Sequence, residues 1–171
     1  MSLQPYDISQ EESLKKYLHE LRQWWENEEK KIVKEIENVS GLRLPKEVEC
    51  YVVSQMAYTA ISHPMTIRMD RDFDKLRLIL IHELIHITLA SHMKSRDLVI
   101  KLNELYPHKD QYFRSHIPVF MIQKKVLDSL YGPNAMKRYI KEEVTEEEVP
   151  ILKEADRLGK KFRGNIIKHF R

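Results

Sequence analysis

The chain has 171 residues, 42% of them hydrophobic and 32% charged, with a formal net charge of +3 and one cysteine. That length suits a single domain, 1–171, with a sizeable core, and the lone Cys50 excludes an internal disulfide. No apolar run can span a bilayer, no basic-then-apolar leader opens the sequence, and so small a charge excess argues for neither a membrane nor a nucleic-acid partner; a cytoplasmic protein is expected.

Ser9-Gln10-Glu11-Glu12 reads as a capping box. A long amphipathic helix follows through Leu14, Leu18, Leu21, Trp25, Ile32 and Ile36, closing at Ser40-Gly41. Its apolar pattern lapses between Glu26 and Lys30, where a break is expected. Three short strands are predicted next, at Val48 to Ser54, Ala57 to Ile61 and Met65 to Met69. Asp72 or Asp74 can cap the following helix. That helix is an almost unbroken apolar stretch from Leu76 to Ala90, and His82-Glu83-Leu84-Ile85-His86 lies inside it.

Downstream the pattern is helical. Ser95 caps a short helix through Leu98, Leu102 and Leu105, stopped by Pro107. Another helix runs from about Ser115 to Gly132-Pro133. Residues 142–171, acidic first and basic last, suit an appended C-terminal helix. Lys160, Lys161, Arg163, Lys168 and Arg171, with Phe162, Ile166, Ile167 and Phe170 interleaved, read as a solvated basic face on an amphipathic helix rather than an RNA contact.

Residues four apart lie on one face of a helix, so His82 and His86 can point at one metal ion. Glu83, one position on, can take a proton from a water activated by that ion. The plain alternative is two core histidines; but Ile79, Leu80, Ile81, Leu84, Ile85, Ile87 and Leu89 surround the motif on every side. Three ionisable groups in so apolar a setting are costly without partners, and a metal would supply one.

The H-E-x-x-H run resembles the active-site helix of the zincin metallopeptidases, over about fifteen residues around the motif. The resemblance implies an α+β, zincin-like fold: a long N-terminal helix, a small mixed or antiparallel sheet of about three strands, a central motif helix and a helical C-terminal half. It implies Zn²⁺ as cofactor, Glu83 as general base, and hydrolysis of peptide bonds in a peptide or protein substrate. It also implies that Thr66 to Met69 is the edge strand that pairs with extended substrate.

Catalytic zinc takes three protein ligands and keeps one position for water. Three residues compete for the third place. His92 has the metzincin spacing, but Leu89 stands where those proteins have glycine, and on a continuing helix His92 falls about 100° off the line of the other two. Glu104 has nearly the gluzincin spacing, but lies opposite the apolar face of Leu98, Leu102 and Leu105. His116 heads a line through Phe120, Gln123 and Leu127 at the centre of an apolar face, and ranks first. Tyr112, one turn before it, can donate to a developing oxyanion, and Asp70, Asp72 or Asp74 can orient a ligand imidazole. His19, His63, His108 and His169 show no partner pattern and read as surface residues. A second reading is a metal-dependent endoribonuclease using His82, His86 and His92. A third is a catalytically inactive zincin-scaffold binding protein.

Overall fold

The computed structural model describes residues 8–92, 96–161 and 167. In chain order these form α1 (Ile8–Ser40), β1 (Tyr51–Val53), β2 (Ala60–Ser62), β3 (Met65–Arg68), α2 (Phe73–His92), α3 (Arg96–Leu105), α4 (Gln111–Tyr131), α5 (Pro133–Glu143) and α6 (Val149–Gly159). The fold is α+β and mostly helical, as expected. No single helix among the described residues is long and apolar enough to cross a membrane.

α1 does not break at Glu26 to Lys30; it runs unbroken for 33 residues. The polar stretch is continuous because one of its carboxylates faces inward with partners. Buried Glu28 accepts from Tyr131 Oη at 2.8 Å and pairs with Lys31 at 2.6 Å and Arg77 at 3.1 Å. This network joins α1 to α2 and α4, and Ile32 and Ile36 bury fully beside it. Gly41, with φ 72°, carries the chain out of α1 through the left-handed region that favours glycine. Of the capping box, Ser9, Gln10 and Glu11 have side chains outside the described residues.

The sheet is mixed, in the order β1-β3-β2, with β1 parallel and β2 antiparallel to β3. The substrate-edge expectation for Thr66 to Met69 is therefore wrong. β3 holds the centre, with Met65 and Ile67 buried. The edges belong to β1 and β2, because the parallel return of β3 inserts it between them.

α6 is not appended. Its buried Ile151, Ala155 and Leu158 form one face, and that face packs on α4. The chain bends at Val144–Glu148 instead of continuing as one helix from Glu142. Ser95 and the basic end at Arg163, Lys168 and Arg171, with Phe162, Ile166, Phe170 and His169, lie outside the described residues.

Candidate metal centre

The first turn of α2 is fixed by Asp72, whose Oδ1 accepts the backbone N–H of Lys75 at 2.9 Å. Asp72 also pairs with Arg138, Asp70 with Lys75 and Asp74 with Arg77, so the three aspartates cap and brace the helix and leave the histidines to other partners. From Leu78 to Ile85 every residue of α2 is buried. α4 and α5 both pack on it.

Across that contact the structure brings His82, His86 and His116 together, with one ligand atom of each lying within 4.8 Å of the others. His82 Nε2 and His86 Nε2 are 3.1 Å apart. Metal–nitrogen bonds of about 2.0–2.1 Å in a tetrahedron place ligand nitrogens about 3.3–3.4 Å apart, so this hydrogen-bonded pair lies within about 0.3 Å of the edge a tetrahedral ion needs.

The far sides of the rings fix which nitrogen faces the centre. Gln123 Nε2 donates to Leu78 O at 3.3 Å, which turns its Oε1 toward His82 Nδ1 at 3.0 Å. An amide oxygen only accepts, so Nδ1 carries the proton and Nε2 presents a lone pair. Tyr139 Oη lies 3.1 Å from the same Nδ1 and its ring stacks on His82. His116 Nδ1 donates to Tyr112 O at 2.9 Å, which by the same reasoning leaves its Nε2 bare. A ligand histidine held by an outer acceptor in this way is oriented before the metal arrives.

Burial keeps these rings neutral. It pulls His82 down to about 4 and His86 down to about 2, with the neighbouring histidines adding to the shift, and it lowers His116 as well. Neutral imidazole is the form that ligates metal. Burial has the opposite effect on Glu83. Its carboxyl is pushed up to about 7, partly offset by a hydrogen bond from Ser62 at the end of β2. A carboxyl that titrates near neutrality is suited to taking and returning a proton.

The other expected ligands are not brought in. α2 continues through His92, whose Nδ1 lies 2.9 Å from Thr88 O, and His92 is outside the cluster. The set His82, His86 and His92 is therefore not assembled, because the helix does not turn where Leu89 replaces glycine. Glu104 is exposed and pairs with Lys101 at 3.5 Å, on the solvent side of α3. Exposed Cys50 lies beside β1 and takes no part in the histidine cluster.

Tyr112 is near the site but already engaged. Its hydroxyl donates to Glu148 Oε1 at 2.8 Å, and its ring centroid is 4.0 Å from that of His116. Glu148 is buried and also accepts from Thr145 N at 2.8 Å and Thr145 Oγ1 at 3.1 Å. His63 is exposed but helps line a cavity of about 150 Å³ beside His86, with Leu89, Leu98, Leu102 and Pro118. Sequence reasoning missed Ser62, Tyr139 and Glu148. Gln123 did carry a signal, as a polar residue two turns along His116's own buried line.

Comparison with models of known protein families, with curated proteins and with solved structures finds no match.

Proposed function

We propose that this protein is a zinc-dependent peptidase, with the metal held by His82, His86 and His116 and with Glu83 as general base. The observation that carries this reading is the convergence of three neutral imidazoles from two helices next to a buried carboxyl. Three nitrogen donors leave one position open, the ligand count of catalytic zinc rather than structural zinc. Bound there, zinc would polarise a scissile carbonyl and make water acidic enough to attack it at neutral pH. Glu83 takes the proton of the attacking water and passes it to the departing amine. Ser62 holds the Glu83 carboxyl from the strand beside it, and Gln123, Tyr139 and the Tyr112 carbonyl hold the histidine rings. Among the described residues β2, which carries Ser62, is an edge strand of the sheet, and an extended peptide pairing with it would pass close to Glu83.

Metal analysis of purified protein should find about one zinc per chain. Cleavage of a fluorogenic peptide library should be abolished in Glu83→Gln while the metal is kept. Full cleavage by Glu83→Gln would remove the mechanism. Bound zinc without cleavage by the wild type would point to the scaffold-binding reading instead.

A further inference from the structure

A second cavity lies across α2 from the imidazoles. It has a volume of about 690 Å³, within the usual range for ligand sites. α1 contributes Leu21, Trp25 and Val33 to its walls, the sheet contributes Val52 and Ile67, and α2 contributes Leu84. Leu84 is two residues beyond His82, about 200° around the helix, so this cavity and the histidine cluster occupy opposite faces of α2.

Its shape is that of a slot. Lining residues on α1 run from Leu18 to Glu37, about 28 Å of helix. One wall is an edge of the sheet, since among the described residues β1 pairs only with β3. Val53 O accepts the N–H of Met69, just past β3, at 2.8 Å. Backbone groups of alternate residues in a strand point to opposite sides, so those of Val52 and Cys50 face outward. Their side chains line the slot, as does that of Val48.

The polar lining is asymmetric. Arg22, Arg43 and Lys46 line the slot, and no ion pair among the described residues involves them. Two carboxylates also line it, Glu29 and Glu37, so the basic groups hold an excess of one charge; Glu37 accepts the N–H of Leu44 at 3.0 Å.

We propose that this slot binds an extended peptide segment, which adds to the sheet as a strand beside β1. About eight residues at 3.3 Å each fill its length. Alternate apolar side chains enter between α1 and the sheet, and an acidic side chain or a free C-terminal carboxylate meets Arg22, Arg43 and Lys46. The outward backbone groups of β1 favour a peptide over an acyl chain, which has nothing to pair with them. This inference does not depend on the metal reading and is tested without zinc chemistry.

Dodecapeptides selected from a random display library against the full chain are the probe. Selected sequences should alternate apolar residues and carry an acid. Because Cys50 is the only cysteine and lines the slot, a bound peptide should slow its alkylation at least tenfold. Hydrogen exchange of the Cys50 and Val52 amides should slow with it. Arg43→Glu combined with Lys46→Glu should weaken binding about tenfold with an unchanged thermal melt. Four results would overturn the proposal. One is failure to select any binder, and another is binding that leaves Cys50 and both amides unprotected. The third is palmitate protecting the thiol while the amides exchange freely, which assigns the slot to an acyl chain. The fourth is protection that rises with protein concentration alone as the mass doubles, which assigns it to a second copy of the chain.

Discussion

His92 at the end of α2 and His116 at the start of α4 make the same local contact. In each, Nδ1 lies 2.9 Å from the carbonyl oxygen four residues earlier. Only His116 reaches the cluster. Local geometry therefore does not decide which histidine joins the cluster. The packing of α4 on α2 does, and it depends on the apolar line of Phe120, Gln123 and Leu127, which is buried.

The largest test of this contrast is a pair of substitutions. His116→Ala should lower zinc affinity at least about 1,000-fold, more than loss of an outer partner costs. His92→Ala should change it less than about twofold. Calorimetric titration with zinc reads both, and a strong effect of His92→Ala would return the third ligand to α2.

A second test uses acid and base on the metal-free protein. Folded His82 titrates at about 4, below its ordinary 6.5, so the stability tied to its neutral form is complete above 6.5 and is lost as the pH falls toward 4. Folded Glu83 titrates at about 7, above its ordinary 4.5, so it costs nothing below 4.5 and its cost grows as the pH rises to 7. Glu83→Gln should therefore match the wild type at pH 4 and exceed it by up to about 3 kcal/mol at pH 8. Urea melts across this range would expose an error if Glu83→Gln brought no gain at pH 8.

The smallest effect separates the outer partners. Gln123→Ala should weaken zinc binding about 10- to 100-fold, and Tyr139→Phe should do less, because Gln123 alone fixes the His82 tautomer. Equal effects in the same titration would mean that Tyr139 shares that role.

Much of this was legible in the sequence, and the failures have physical causes. The apolar surroundings of His82, Glu83 and His86 announced a buried helix, and the face of α4 picked out His116 over Glu104 and His92. The three strands were found because their alternation is local. Their order was not, since the placing of β3 between β1 and β2 depends on a parallel pairing that no local pattern encodes. The expected break in α1 failed because Glu28 has partners on α2 and α4, far along the chain. Tyr139 and Glu148 carried no signal, since each becomes part of the site only when α5 and α6 fold back onto it.

That return passes through one residue. Gly132 ends α4 and opens α5 with φ 79° and ψ 172°, a conformation that is essentially glycine-only. A Cβ there would meet nothing within 4 Å, so the penalty for any other residue is entirely torsional, about 1–3 kcal/mol. His116 and Gln123 stand on one side of this corner and Tyr139 on the other. The stacking of Tyr139 on His82 is thus inherited from a bare hinge pin.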